Sequence, residues 1–320
     1  MFASVIVPTK ARPAALRRAL RSVLGQDRAD WEVVVVDDGA GEGVTAAEAF
    51  GDGRISAIRS PGEGQVDARN AGIARARGRL VCWLDDDDWW EDPGHLALLA
   101  REEAAATAAF YFRGGWIVHE GGPEPPRREA FDHDATAESL RSNNTVLTSS
   151  LAYPRELHGS LGPLDPSLGG YCDWDFMLRM CEAGVLPRRL PGLGVCYAIH
   201  GDNVSNEFDA PERRRGFERF AGKHELQIAI ANHLTMHRRL VSAPEGWSEV
   251  AGALERVFSF DGFPEAIAFV NRVAELAEAE SHHPDIDIRW SRVTLRWSTH
   301  SAGAITDRDR ELASRSAALA

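Results

Sequence analysis

The sequence predicts an α/β domain followed by a smaller α+β domain. Over the first part of the chain, short apolar runs alternate with helical patterns, as in a parallel sheet covered by helices. After residue 222 the pattern changes to long helices mixed with alternating strands. A chain of 320 residues, with 44% hydrophobic and 26% charged residues, is long enough for two domains of roughly 150 residues. We therefore expect domains at residues 1–222 and 223–320.

The elements predicted for the start of the chain are four strands and two helices. Their apolar runs are continuous, which is typical of strands buried on both faces of a parallel sheet. They comprise strands at residues 4–7, 31–36, 55–58 and 80–84 and helices at residues 13–24 and 66–77. Ligands of such sheets bind at the carboxyl ends of strands, and acidic residues follow the second and fourth strands here.

The remainder of the first domain carries weaker patterns. Residues 113–170 are rich in Gly, Pro and polar residues, and they predict loops and short strands on the acceptor side of the site. A helix is expected over residues 173–183. A strand over residues 196–200 is expected to lead into the polar loop 201–206.

The second domain is predicted to contain three helices and two strands. One helix has an apolar face at helical spacing, and a later strand alternates Val, Leu and Trp with polar residues. Thr306 is placed to cap the last helix. The expected elements are helices at residues 224–240, 263–279 and 307–319 and strands at residues 256–260 and 293–297.

The composition excludes several classes of function. The net charge is −12 at pH 7 and no basic patch offsets it, so a general nucleic-acid binder is not expected. The longest apolar stretches are far shorter than the ~20 residues of a membrane-spanning helix, and the N-terminus lacks the charged region of a signal peptide. Four cysteines show no disulfide or zinc spacing. We expect a cytoplasmic protein without a transmembrane segment.

Four consecutive aspartates, residues 85–88, form the most conspicuous chemical feature. Their mutual repulsion raises their pKa values unless a cation neutralises them, and carboxylates suit Mg²⁺ or Mn²⁺. The alternative is a solvated acidic turn in which Asp88 caps the next helix. Because the run ends a buried strand and Trp89 and Trp90 follow it, we favour a binding site.

Four segments in order resemble the family 2 glycosyltransferases. They are residues 4–9, 31–39, 64–72 and 84–89, which read SVIVPT, WEVVVVDDG, G followed by ARNAG, and LDDDDW. The resemblance covers residues 1–205. It implies a Rossmann-like GT-A fold and an enzyme that transfers a sugar from a nucleotide-diphospho-sugar, with inversion, to an unknown acceptor.

The resemblance implies binding roles for residues that match these motifs. Without the resemblance, Arg69 is compatible with a surface salt bridge, and Asp37 and Asp38 are compatible with a tight turn. The nucleotide-sugar contacts implied are the base and ribose pocket at Pro8 and Thr9, the base at Asp37 and Asp38, the diphosphate at Arg69 with Asn70 supporting its loop, and the ribose at Asp86.

The resemblance also implies a metal site. Asp87 would be the main ligand of Mn²⁺ or Mg²⁺, Asp85 would assist, and His200 would approach the metal or a phosphate. A lone histidine is equally compatible with a hydrogen-bonded core residue. A divalent cation would relieve the repulsion between an acidic domain and a diphosphate that carries about two negative charges.

A third carboxylate is expected to act as the catalytic base. Residues 170–176, GYCDWDF, resemble the family's Glu-Asp-Trp-Asp segment at a helix start, and the matching base is Asp173. Cys172 stands where the family usually has Glu. Without the resemblance, Asp173 would be read as a carboxylate favoured by the helix dipole.

The C-terminal residues 245–319 resemble pterin-4a-carbinolamine dehydratase. The matching segments include GW at 246–247, VFSF at 257–260, SHHP at 281–284 and WSTH at 297–300. The resemblance implies that His282, His283 and His300 dehydrate a 4a-hydroxypterin, with Asp309 in support. Histidine can act as either acid or base near neutral pH. It also implies a homodimer or higher oligomer formed through this domain.

Two alternatives remain at this point. The C-terminal domain can be a dimerisation or pterin-binding module without turnover. A nucleotidyltransferase would share the carboxylates and metal, but no Gly- and Arg-rich nucleotide-binding loop opens the chain.

Overall fold

The computed structural model describes residues 1–105, 108–121, 126–200, 210–299 and 305–320. The chain divides into two compact units, Met1–Met236 and His237–Ala320. The division lies later than the expected join at residue 222, because the segment beyond that residue packs on the core of the first unit. No described helix is long and apolar enough to cross a membrane.

The first unit contains a mixed sheet with helices on both faces. Its strands are β1 (Ala3–Thr9), β2 (Trp31–Asp37), β3 (Ile55–Arg59), β4 (Leu80–Trp83), β5 (Trp89–Trp90), β6 (Ala109–His119), β7 (Arg127–Phe131), β8 (Ala152–Pro154) and β9 (Leu186–Ile199). Its helices are α1 (Pro13–Leu24), α2 (Glu42–Glu48), α3 (Gln65–Arg75), α4 (His95–Ala104), α5 (Leu157–Leu161), α6 (Cys172–Glu182) and α7 (Pro211–Lys223), and α8 (His233–Val241) runs across the division.

The first half of this sheet is parallel, as the sequence predicts. The strand order is β3-β2-β1-β4, and Val5 pairs with Val33 on one side and Cys82 on the other. Alternate residues of each strand enter two separate cores: Ile6 and Val34 pack on one face, and Val5 and Val33 on the opposite face. Burial on both faces explains why these strands are continuously apolar.

The second half of the sheet differs from the loops and short strands expected for residues 113–170. Strand β6 has eleven residues and pairs in parallel with the fourteen-residue β9, of which only residues 196–200 were anticipated. Gly114 and Gly115 interrupt the apolar pattern of β6, and β9 carries prolines and arginines. A Cβ atom at Gly115 would lie 2.3 Å from the Val195 carbonyl oxygen, so the close strand approach requires glycine there.

The helix expected over residues 224–240 is wrong in its first half. Helix α7 ends at Lys223, and the next helix begins at His233. Between them Leu226, Ile228 and Ile230 alternate and pack on the core of the first unit. Tertiary packing therefore overrides the local helical pattern in this segment.

The second unit is a four-stranded antiparallel sheet with two long helices. Leu254, Phe258, Val293, Leu295 and Trp297 project from its strands into a core shared with the helices. The sequence anticipated the helices and the two central strands but not the exposed outer strands. The strand order is β10-β11-β13-β12, formed by β10 (Ser248–Val250), β11 (Ala253–Ser259), β12 (Asp285–Arg289) and β13 (Arg292–Trp297), with α9 (Phe263–Glu280) and α10 (Asp307–Ala317).

Candidate functional sites

The first candidate site lies at the carboxyl ends of β1, β2 and β4. Thr9 ends β1, Asp37 ends β2, and the aspartate run follows β4. The Thr9 hydroxyl donates to Asp86 Oδ2 at 2.6 Å. This hydrogen bond directly connects the end of β1 to the aspartate run that follows β4. Pro8 precedes Thr9 in the same buried strand. The parallel sheet thus brings together polar residues that are far apart in sequence.

The four aspartates have different partners. Asp85 pairs with Arg69 at 2.5 Å. Asp86 and Asp87 share Arg12, at 2.6 and 2.5 Å respectively. Asp88 accepts hydrogen bonds from the Ser149 hydroxyl at 2.5 Å and the Ala198 amide at 2.9 Å, and so ties the loop to β9. Asp86 and Asp88 are each 1% exposed, so the alternative of a solvated acidic turn is wrong.

Burial strongly perturbs two of these carboxyl groups. Desolvation, reinforced by the charge of Asp87, raises the pKa of Asp86 to about 7 despite opposing contributions from Arg12 and Thr9. Burial, together with the charges of Asp87 and Asp85, raises the pKa of Asp88 well above its usual range. The cluster therefore favours protons or additional cations.

The donor set of this cluster is compatible with Mn²⁺ or Mg²⁺. His200 Nε2 lies 2.9 Å from Asp87 Oδ2, so two of the predicted metal ligands are adjacent. Asp86 Oδ1 is buried and has no aligned hydrogen-bond donor, although it is ion-paired with Arg12. Among the described residues, no group of three or more His, Cys, Asp or Glu side chains is arranged to hold an ion. Further ligands would have to come from outside these side chains.

The remaining nucleotide-binding candidates are all hydrogen-bonded to backbone groups. Asp37 accepts hydrogen bonds from the amides of Gly39 at 2.7 Å and Gly43 at 2.9 Å, so it forms a tight turn, which is compatible with either interpretation of this residue. Asp38 accepts from the Gly64 amide at 3.0 Å. Asn70 is clamped to the Leu164 backbone by hydrogen bonds of 2.9 and 3.0 Å, which fixes a neighbouring loop.

Arg69 is buried within the site, which rules out a surface salt bridge. Only 3% of the residue is exposed, and its guanidinium lies over the Trp83 ring at 4.7 Å. Its Nη1 atom lies 3.7 Å from Cys172 Sγ. Burial opposes its charge, but Asp85 and neighbouring anionic groups raise the pKa of Arg69 above its usual value. Arg69 is therefore a fixed positive charge beside the aspartates.

Asp173, the predicted base, lies in the first turn of α6 and is 6% exposed. Its Oδ2 atom accepts from the Thr148 hydroxyl at 2.8 Å, and the Asn144 amide lies 3.5 Å away. Its Oδ1 atom accepts from the Trp174 amide at 2.8 Å. These neutral donors orient the carboxylate without neutralising it.

Sequence reasoning missed three residues around these groups. Arg12 is described above, and Arg18 donates to the Asp87 carbonyl oxygen at 2.5 Å while stacking on Trp89. His233 contacts the Val146 carbonyl oxygen at 2.9 Å. Val146 lies in the sequence between Asn144 and Thr148, whose side chains contact Asp173. Arg12 and Arg18 were missed because arginines near the start of an amphipathic helix are typical of its solvent-exposed face. His233 was missed because it falls within residues 223–320, which were predicted to form the second domain.

The second candidate site lies in the C-terminal unit. His282 Nε2 lies 2.7 Å from Asp309 Oδ1, and its ring stacks on Trp297 with centroids 5.7 Å apart. Burial opposes the charge of Asp309, but hydrogen bonds from Thr306, His282 and Thr299 lower its pKa. His283 is an exposed neighbour that contacts Glu278 at 3.0 Å. His300 lies outside the described residues.

A cavity of 330 Å³ opens at this histidine pair. It is bounded by residues that follow α9 and residues that follow β13. Its lining residues are Ser281, His282, His283, Pro284, Asp285, Ser298 and Thr299.

Two family models match separate parts of the chain. The model of glycosyl transferase family 2 matches residues 4–155, and the model of pterin 4 alpha carbinolamine dehydratase matches residues 231–319. The two matches do not overlap: the first contains Arg69 and the aspartate run, and the second contains His282 and Asp309.

Curated relatives support both matches. The uncharacterized glycosyltransferase YwdF of Bacillus subtilis is 34% identical over 232 residues, which are 71% of this chain and 85% of the relative. A Thermomicrobium roseum protein assigned to the pterin-4-alpha-carbinolamine dehydratases is 57% identical over 75 residues, which are 23% of this chain and 81% of the relative.

Solved structures share the fold of the first unit. S. aureus TarS 1–349 in complex with UDP-GlcNAc is 18% identical, with a TM-score of 0.55 over 77% of this chain and 75% of that chain. The mannosyltransferase PcManGT of Pyrobaculum calidifontis, in complex with GDP-Man and Mn²⁺, is 18% identical, with a TM-score of 0.53 over 86% and 80% of the two chains. The chain therefore belongs to glycosyltransferase family 2, with the GT-A fold, and its C-terminal part belongs to the pterin-4a-carbinolamine dehydratase family.

Proposed function

We propose that the first unit is an inverting glycosyltransferase that uses a nucleotide-diphospho-sugar and a divalent metal, Mn²⁺ or Mg²⁺. The observation that carries this proposal is the convergence of Thr9, Asp38, Arg69 and the aspartate run at one edge of a parallel sheet, with the oriented carboxylate of Asp173 on a neighbouring helix. The nucleotide complexes of TarS and PcManGT support a nucleotide-sugar donor in this fold.

The donor is proposed to bind through groups of both signs. Asp38 accepts a hydrogen bond from the base, Asp86 faces the ribose, and Arg69 supplies positive charge near the diphosphate. Asp87, assisted by Asp85 and His200, would hold the metal, whose chemistry is to stabilise the charge that develops on the departing diphosphate. The buried, hydrogen-bond-poor Oδ1 atom of Asp86 is consistent with a ligand at this position.

Asp173 is proposed to act as the general base. A single displacement inverts the sugar carbon and requires a carboxylate to take the proton from the attacking acceptor atom. Thr148 and Trp174 hold the two oxygens of Asp173 through neutral hydrogen bonds, which fix the orientation in which the carboxylate would accept that proton.

Donor binding provides the first test. Calorimetric titration with UDP, GDP and dTDP in the presence of Mn²⁺ should show binding of at least one nucleotide. EDTA, or the Asp87→Asn substitution, should weaken that binding at least about tenfold, because the diphosphate loses its bridging cation. Asp165→Asn, a carboxylate that only caps a short turn, is the control. The proposal fails if none of the nucleotides binds, or if affinity is the same without metal.

We further propose that the C-terminal unit dehydrates a 4a-hydroxypterin. The His282–Asp309 pair stacked on Trp297 carries this proposal, because it supplies a fixed imidazole beside a cavity. His283 and His300 would complete the acid and base set. Self-association of the full chain through this unit is part of the proposal and is checked by sedimentation.

Dehydration of a 4a-hydroxytetrahydropterin by the full chain tests this second activity. Wild type should exceed the uncatalysed rate, and His283→Ala should lower the catalysed rate by about 10²-fold or more. A wild-type rate equal to the uncatalysed rate would contradict the dehydratase proposal, and retained pterin binding would then identify a non-catalytic module.

A further inference from the structure

Arg12 occupies the position where a cation would be expected in the transferase site. It is the residue that immediately precedes α1, and its two terminal nitrogens pair with separate carboxylates. Nη2 lies 2.6 Å from Asp86 Oδ1, and Nη1 lies 2.5 Å from Asp87 Oδ2. One guanidinium thus bridges the two carboxylates that the proposed function assigns to ribose and metal.

A divalent ion and this guanidinium cannot hold the same oxygens. His200 already contacts the Asp87 oxygen that Arg12 uses, so any ion bound there would lie within a few ångströms of Nη1. Like charges at such a separation repel strongly even at the effective dielectric of a protein surface. The two cations therefore compete for Asp87.

The fit of Arg12 to the site is incomplete. Asp86 Oδ1 has no aligned hydrogen-bond donor although it is buried, so its contact with Arg12 is an ion pair without hydrogen-bond geometry. A buried oxygen held in this way is available to a better-placed ligand.

Arg12 is also free to leave, in contrast to Arg69. The Arg12 side chain is 37% exposed, whereas that of Arg69 is 4% exposed and is fixed by Asp85 and the Trp83 ring. Rotation of a long side chain at the edge of the site costs little packing. Arg69 is a permanent part of the site, and Arg12 is the exchangeable cation.

We propose that Arg12 is an internal counter-cation that neutralises Asp86 and Asp87 in the free protein, yields Asp87 to a divalent metal, and then pairs with the diphosphate of the donor. This inference rests on the proposed transferase function. A guanidinium is suited to the second role because it binds phosphate oxygens in a bidentate manner. The metal and the nucleotide diphosphate would consequently bind as a pair.

The charges of the components explain this coupling. Mn²⁺ alone brings two positive charges to a pair of carboxylates that already has a guanidinium partner. Mn²⁺ with a nucleoside diphosphate brings negative charge for Arg12 at the same time. Metal affinity in the free protein should therefore be low, and it should rise when the nucleotide is present.

The test is Mn²⁺ binding, measured by the electron paramagnetic resonance signal of free Mn²⁺ without nucleotide. Arg12→Met keeps most of the side-chain length and removes the charge, so Mn²⁺ should bind about tenfold more tightly than to wild type. Arg21→Met removes the same charge from an exposed position of α1 and should leave the affinity unchanged. Arg12→Lys should remain close to wild type.

A second arm repeats the titration with UDP, GDP and dTDP. Nucleotide should strengthen Mn²⁺ binding to wild type by about tenfold or more, and Arg12→Met should reduce this enhancement. Equal Mn²⁺ affinity of wild type and Arg12→Met, or no Mn²⁺ binding to either protein, would overturn the inference. Absence of nucleotide binding would instead refute the proposed function, because the Mn²⁺-only arm does not depend on a donor.

Discussion

Asp175 provides a sharp test of how α6 is held in place. Its carboxylate is fully buried and contacts three basic side chains, Arg179 at 2.9 Å, Lys223 at 2.7 Å and His224 at 2.8 Å. The last two close helix α7 against α6. Asp175→Asn keeps the shape of the side chain but removes its charge. We therefore expect it to weaken the attachment of α7 to α6 without displacing the surrounding atoms.

The magnitude follows from the ionisation of Asp175. Burial raises its pKa, but the bonds from His224 and Lys223 and the charge of Arg179 together lower it from 3.8 to about 2. This difference corresponds to about 2 kcal/mol of stabilisation at pH 7. Breaking a buried ion pair by removing one partner costs about 3–5 kcal/mol. We therefore expect Asp175→Asn to lower the free energy of unfolding of the first unit by about 2 to 5 kcal/mol.

The assay is hydrogen exchange of the α6 and α7 amides at pH 7, which reports the opening free energy of this part of the first unit alone. Glu182→Gln is the matched control on the same helix. The Glu182 side chain is 57% exposed and lies 3.4 Å from His224 Nδ1, so loss of its charge should cost about 1 kcal/mol or less.

The pH dependence gives a second readout. The folded pKa of Asp175 is depressed, so its contribution is present above pH 4 and is lost as the pH falls towards 2. Wild type should lose this stability in that window, and Asp175→Asn should not. The reasoning is refuted if the two substitutions cost the same, or if both proteins respond identically to acid.

Three further outcomes follow from other contacts. Burial, with the charge of Arg113, lowers the pKa of His95 to about 3, so on acidification the unfolded chain binds a proton before the folded protein does. The folded protein should therefore lose up to about 1.4 kcal/mol of stability per pH unit as the pH falls from 6.5 to 3. His95→Phe should abolish this contribution to the pH dependence in denaturant titrations. Asp309→Ala removes the carboxylate half of the capping box at the start of α10 and should cost the second unit about 1–2 kcal/mol in denaturant unfolding, and no change would contradict its capping role. Gly115→Ala places a Cβ atom 2.3 Å from the Val195 carbonyl oxygen and should lower the free energy of unfolding by about 1–3 kcal/mol, measured by thermal denaturation. Gly159→Ala, with open space around it, should leave the stability nearly unchanged in the same assay.

The sequence predicts the parallel half of the first sheet well because its strands are buried on both faces. Burial of alternate residues of β1 and β2 in two cores forces apolar residues at every position, and the polar residues that follow each strand then converge. The proximity of Asp38 and the aspartate run was therefore expected from topology, whereas Thr9 was included only because of the resemblance to the family.

The second half of the sheet could not be predicted in the same way. Strand β6 contains two glycines because β9 approaches it closely, and β9 has charged residues whose partners come from elsewhere. Arg188 of β9 illustrates this, since it pairs with Glu102 of α4 at 3.0 Å; Arg113 of β6 is similar, since it is 6% exposed and pairs with Asp92. Such pairings depend on tertiary contacts and leave no local period.

The identity of the cations in the site was likewise hidden. A run of aspartates indicates positive partners, but the sequence does not show that Arg12 and Arg69 supply them from a helix start and a helix interior. Asn70 was expected to support a loop, and it is bonded to the Leu164 backbone; Asp37 was expected to contact the base, and its carboxylate is bonded to the amides of Gly39 and Gly43. The sequence did not show these backbone partners.

The most direct measurement of the central claim is release of nucleoside diphosphate from a panel of UDP-, GDP- and dTDP-sugars by the full chain with Mn²⁺. Wild type should turn over at least one donor. Asp173→Asn should bind that donor with unchanged affinity but release the diphosphate about 10²–10⁴-fold more slowly, because only the proton acceptor has been removed. A wild type that releases nothing from any donor, or an Asp173→Asn variant that remains fully active, would contradict the account.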